Sequence, residues 1–190
     1  MNAARAATAL LALWLTGSAP PGTPNPQTGY ADCAPSQIDA PRLRRAILAA
    51  ARPRGDTRRF FADNVVVVAP APLRDGPPDM LAYVAGPSIC GSGGCNAYLF
   101  EGGAPDRVLG RITPARLPIR VLDSIHEGRR DIGVTVNGGG VRQGYVGTLR
   151  FDGKAYAGNP TLAGVARAPA DAGTAVIGLP GQAAGQCRLR

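Results

Sequence analysis

Residues 80–100 read MLAYVAGPSICGSGGCNAYLF, and the architecture follows from this stretch. Met80 to Ala85 and Ala97 to Phe100 are short runs, apolar on both faces, as strands in the interior of a sheet require. Gly86-Pro87 breaks the chain between them, and Cys90 and Cys95 enclose Gly91-Ser92-Gly93-Gly94. Glycine accepts the positive φ that so tight a ring needs. A ring placed there would clip the connection between neighbouring antiparallel strands.

Working outward, the same alternation of short strands and turns continues. Val65 to Val68 is a β-branched run. Leu117, Ile119 and Val121 alternate with Pro118 and Arg120, which predicts a half-buried strand placed at an edge because of its proline. Ile132, Val134 and Val136 alternate with Asp131, Gly133 and Thr135, and the turn Asn137-Gly138-Gly139-Gly140 follows. Tyr145, Leu149 and Phe151 fall on one face, with Val146, Thr148 and Arg150 on the other. Asp152-Gly153 is a hairpin signal leading into Ala155-Tyr156. One helix precedes all this. Asp39 is its expected N-cap and Pro41 sits in its first turn. Leu43, Ala46, Ile47 and Ala50 form its apolar stripe, and Pro53 and Gly55 end it. The expected fold is therefore α+β: one N-terminal helix packed on a mostly antiparallel curved sheet or small β-sandwich of six to eight strands, clipped by disulfides. Residues 157–190, rich in Ala, Gly and Pro, give little pattern.

Composition agrees. Gly (26) and Pro (18) in a chain of 190 residues exclude a mostly helical bundle. A single His and four Cys exclude a His-rich or multi-Cys metal centre. Met1 to Ala19, MNAARAATALLALWLTGSA, has a lone Arg5, an apolar run and small residues at its end, the pattern of an export signal. The apolar run is about ten residues, too short for a membrane span, which needs roughly 20. No later segment is long and apolar enough to span. Residues 20–31 read as a Pro/Gly-rich linker, and 32–190 as one exported domain, periplasmic or secreted. The even cysteine count after the signal reads as two disulfides. Three connectivities exist, and Cys90–Cys95 with Cys33–Cys187 is the expected one, the second tying the domain's ends together.

The chain carries 21 basic residues, all Arg except Lys154, against 13 acidic ones, a formal net charge of +8. Arg42, Arg44, Arg45, Arg52, Arg54, Arg58 and Arg59 lie close together with only Asp39 and Asp56 among them. Arg42, Arg45, Arg52, Arg58 and Arg59 are the candidate patch for an anionic partner; the plain alternative is a solvated helix face. Aromatic residues do not interleave with these arginines, so a nucleic-acid surface is not expected.

Three further candidates have chemistry to weigh. His126, with Asp123 and Asp131 nearby and Ser88 or Ser92 as hydroxyl, could serve general-base chemistry. No nucleophile motif supports this, and a loop histidine at a strand connection is the simpler reading. Asp75-Gly76-Pro77-Pro78-Asp79 has the end of a calcium loop, but Ala71 and Leu73 stand where oxygen ligands would be needed. No metal or cofactor is expected. Gly91, Ser92, Gly93 and Gly94, whose backbone N–H groups a loop could present, form the candidate protein-binding surface together with Arg129 and Arg130.

At Cys90-Gly91-Ser92-Gly93-Gly94-Cys95, Gly128…Asp131 and Phe151-Asp152-Gly153-Lys154-Ala155-Tyr156, the chain resembles a group of small exported proteobacterial proteins. Their pattern is a C-G-S/T-G-G-C element, a G-x-x-D segment and a final F-D-G-x-x-Y hairpin, and it covers roughly residues 60–156 here. Many members have a fuller D-x-N-x-D-G loop, of which this chain keeps Asp75, Gly76 and Asp79. The resemblance implies export, the fold and the Cys90–Cys95 bridge, but no activity. The functional expectation is a non-enzymatic envelope protein that binds another protein or an anionic envelope component. An inhibitor or immunity protein against a cell-wall-degrading enzyme is the first alternative. A hydrolase using His126 and nearby carboxylates is the second. Nothing in the sequence sets the oligomeric state.

Overall fold

The computed structural model describes residues 29–138 and 140–190. The expected export signal, residues 1–19, and residues 20–28 of the expected linker lie outside the described residues. α1 (Ala40–Ala51) begins where expected: Asp39 accepts a hydrogen bond from the Arg42 N–H at 3.1 Å, and proline occupies the first turn. It ends at Arg52, which adopts φ 46°. Pro53 disfavours a helical conformation at the residue before it, so the chain leaves the helix there. A 3₁₀ turn (Thr57–Arg59) leads into the single turn α2 (Phe60–Asp63).

Among the described residues nine strands follow: β1 (Val65–Ala71), β2 (Asp79–Ala85), β3 (Cys95–Glu101), β4 (Ala104–His126), β5 (Arg129–Gly138), β6 (Val141–Leu149), β7 (Arg167–Ala168), β8 (Thr174–Ile177) and β9 (Cys187–Arg188). They form one curved, open sheet in the order β7-β6-β5-β4-β3-β2-β1-β9, every pair antiparallel, with β8 added to β4. Strands β1 to β3 are buried on both faces. Val66, Val68, Ala82, Val84, Tyr98 and Phe100 meet Leu43, Ala46 and Ile47 of α1 in one core. Their alternate neighbours Val67, Ala69, Leu81, Ala97 and Leu99 point into the hollow of the sheet, against Ile112, Ile119, Ile132, Val134 and Leu149. The period of two assigns each residue to one core or the other.

Both expected disulfides are present. Cys90–Cys95 closes the β2–β3 connection, and Cys33–Cys187 joins the segment before α1 to β9. The Asp152 carboxylate accepts the N–H groups of Lys154 (2.8 Å) and Ala155 (2.7 Å), which forms the hairpin that pairs Phe151 with Tyr156.

Three expectations need correction. The segment around Pro118 is not an edge strand. β4 is 23 residues long and changes partner midway: Cys95 to Glu101 pair with its first half, Arg129 to Thr135 with its second. Ile119 to Val121 are paired on both sides, by β5 and by β8. Pro118 sits in the register shift between Arg116 and Ile119, an irregularity that removes the need for its missing N–H. Second, the described residues form nine strands and not six to eight, because the tail adds three. Third, the expected linker boundary at Asp32 lies too late, since Tyr30 is buried and its hydroxyl donates to the Gly178 carbonyl at 2.8 Å. The patternless tail supplies β7, β8 and β9.

Candidate functional site

Asp79 opens β2, Glu101 ends β3 and Arg129 opens β5, so the sheet brings three distant residues to one end. Arg129 NH groups donate to Asp79 Oδ2 and, at 2.9 Å, to Glu101 Oε1. The second Asp79 oxygen accepts the Gly102 N–H at 2.8 Å. Asp79 is fully buried and Arg129 is 6% exposed, with its guanidinium 5.1 Å from the Phe151 ring centroid. Arg129, expected on a binding surface, is therefore an internal counter-ion, and Asp79 is consumed by it rather than offered to calcium. A buried carboxylate without a partner is costly, so Asp79 needs Arg129 once the sheet has closed over it. Arg130 points the other way, exposed and 3.1 Å from Asp123. The Tyr156 hydroxyl closes the region by donating to the Arg130 carbonyl at 2.8 Å. Burial raises the Tyr156 phenol well above its ordinary range, with Arg129 opposing and Asp79 and Asp131 adding to the rise.

His126 is the last residue of β4, joined to β5 by the two-residue turn Glu127-Gly128, with φ 47° and 75°. Positive φ at both turn positions suits the twist of a tight hairpin. Across that hairpin, His126 Nδ1 meets both oxygens of the buried Asp131 at 2.8 and 2.9 Å, and the Ser124 hydroxyl donates to Asp131 Oδ2 at 2.6 Å. Serine and histidine thus share one carboxylate, whereas nucleophilic catalysis needs the serine on the histidine. Ser88 and Ser92 are elsewhere: Ser88 borders a groove with Asn64 and Asn96, and the Ser92 carbonyl is held by Arg116. Asp123 faces Arg130 instead of the imidazole. The shared carboxylate ties the two strands of the hairpin together, and the Ser124 hydroxyl is turned to Asp131 and not to the imidazole. Among the described residues no group of three or more His, Cys, Asp or Glu could hold a metal ion.

The Cys90–Cys95 loop is more closed than its glycines imply. Gly91 and Gly94 exchange backbone hydrogen bonds at 2.8 and 3.1 Å. Arg116 of β4 donates to the carbonyls of Gly93 (3.2 Å) and Ser92 (2.5 Å). Arg116→Ala is expected to lower stability by only about 1 kcal/mol, the usual worth of such bonds, while amide exchange across 91–94 speeds up. Unchanged exchange would mean that the disulfide alone holds the loop.

The arginine patch does not form one face. Arg42 is paired with Asp106 of β4 at 2.7 Å. Arg44 lies over the Phe61 ring, 3.9 Å from its centroid, and shares a groove with Arg58 beside the C-terminus. Arg45 and Arg52 instead line a groove between α1 and β4, where Arg111 and the Arg42-paired Asp106 join them over a floor of Ala46, Ala49, Ala50 and Val108. Arg52 and Arg111 also border the adjoining groove of Ser88 and Asn96. Among the described residues, no carboxylate lies within ion-pair distance of Arg45, Arg52 or Arg111. Arg59 is exposed and borders none of these grooves.

The chain matches no protein-family model, no curated protein and no solved structure.

Sequence reasoning missed Arg111, Ser124 and the Asp79–Arg129–Glu101 cluster. Arg111 is 66 positions along from Arg45, and only the packing of α1 across β4 unites them. Ser124 had a weak signal, since it sits two residues before His126 and so faces the same side of a strand.

Proposed function

We propose that the protein binds an anionic component of the cell envelope in the groove between α1 and β4. The observation that supports this is the convergence of Arg45, Arg52 and Arg111, none in an ion pair among the described residues, over an apolar floor that includes the 41% exposed Val108; the one carboxylate in the wall, Asp106, is paired with Arg42. Guanidinium groups offer forked donors to phosphate or carboxylate oxygens. The alanine and valine floor accepts the apolar part of a lipid or sugar ring. Two disulfides agree with a site outside the reducing cytosol. No helix among the described residues is long and apolar enough to cross a membrane.

The test is binding to phosphatidylglycerol vesicles and to a soluble polyuronate, each titrated at several salt concentrations. At least one should bind, and more weakly as salt rises. The double variant Arg52→Ala/Arg111→Ala is expected to weaken binding about tenfold, from two partly exposed charge contacts. Arg59→Ala should leave it unchanged. Equal losses in both variants would show attraction to net charge alone and remove the groove from the reading.

A further inference from the structure

Among the described residues, the core inside the curved sheet is largely buried. Four residues packed against it are only partly buried: Val65, Ala85, Cys90 and Leu117. All four line a single cavity of about 420 Å³, together with Tyr30 and Tyr83. That volume falls in the range of small-molecule sites. Among the described residues, no Asp, Glu, Lys, Arg or His contributes to its wall. A charged ligand entering it would lose water and gain no counter-ion.

Among the side chains of its wall, Tyr30 and Tyr83 carry hydroxyls that could orient a ligand. The hydroxyls of Tyr30, Tyr98, Tyr145 and Tyr156 each take part in a hydrogen bond. Tyr83, only 8% exposed, has no such partner among the described residues. Burial pushes its phenol up to about 12, with Tyr30 adding to the rise and Arg116 opposing it. At neutral pH the group is therefore protonated and available as a donor. Leu179, on the β8–β9 connection, is 48% exposed at the cavity rim, where it can cover an occupant.

We propose that this cavity is a binding site for an uncharged, apolar small molecule whose single hydrogen-bond acceptor, a ketone, ester or ether oxygen, meets the Tyr83 hydroxyl. The site is separate from the arginine groove and independent of the anion-binding reading.

The probe is 6-propionyl-2-dimethylaminonaphthalene, a neutral dye with one ketone whose emission shifts to the blue in apolar surroundings. Saturable blue-shifted binding to the purified protein is expected. Tyr83→Phe keeps the ring and removes the donor, and should weaken binding about five- to tenfold. Ala85→Trp fills the cavity from a strand end and should abolish saturation. The anionic dye 1-anilinonaphthalene-8-sulfonate should fail to displace the probe, and Arg52→Ala/Arg111→Ala should leave its affinity unchanged. Absence of a saturable shift would overturn the proposal. So would a titration that neither Tyr83→Phe nor Ala85→Trp alters, or binding seen only after residues 20–28 are deleted, since the chain itself would then be the occupant.

Discussion

Arg129→Met is expected to lower the stability of the domain by about 3–5 kcal/mol, the range for removing one partner of a buried ion pair. The reason lies in what remains. Asp79 is fully buried and would keep one hydrogen bond, from the Gly102 N–H, with its other oxygen facing a methionine. Glu101 would suffer less, because Arg107 at 3.0 Å and Arg74 at 3.6 Å stay beside it. For a chain of this size the loss should appear as a fall of roughly 10 °C in melting temperature. Adding Asp79→Leu to the same variant should restore much of the loss, since no charge is then stranded. Urea titrations of the two single variants and the double variant form the required cycle. A single-variant loss under about 1 kcal/mol would show that water reaches Asp79 and that the burial argument is wrong.

The second large effect concerns Cys33–Cys187, which spans 154 residues of sequence. Replacing both cysteines by serine should destabilise the domain by about 5 kcal/mol if loop closure in the unfolded chain is the main term. Cys90→Ser/Cys95→Ser should lose only about 2 kcal/mol, because that ring is five residues long in separation. The longer crosslink has a structural consequence too. It holds β9 against β1, where Val68 pairs with Cys187, and keeps the segment before α1 bonded to Arg188 through the Cys33 N–H at 3.0 Å. Without it, amide protection should fall first at 187–189 and 31–33. Denaturant midpoints compared across the two double variants decide the matter. Equal losses would mean that native-state contacts, and not chain closure, set the contribution of each bridge.

Much of this architecture could be read from local pattern. The helix start at Asp39-Ala40-Pro41 satisfies a backbone donor with a neighbouring side chain, which depends on adjacent residues alone. Strands β2 and β3 were legible because a run apolar on both faces needs cover on both sides. The Asp152-Gly153 turn was legible for the same local reason. Pro118 was misplaced because the rule that sends proline to an edge assumes a regular ladder, and here the ladder shifts register at that residue. The candidate sites were less legible. His126 and Asp131 were both noticed, yet their union depends on the hairpin register that places His126 opposite Arg129. Arg129 and Arg130 look alike in sequence, but adjacent strand residues face opposite ways, so one is buried and the other exposed.

Residue order alone therefore determined the helix, the interior strands, the tight turns and the pairing of cysteines across the β2–β3 connection, because each rests on forces acting within a few residues. Tertiary structure decided which charges are paired. It buried Arg129 against Asp79 and Glu101, paired Arg42 with Asp106, and left Arg45, Arg52 and Arg111 facing one groove. Charge pairing acts over ångströms between strands far apart in the chain, and the curvature of the sheet sets those distances.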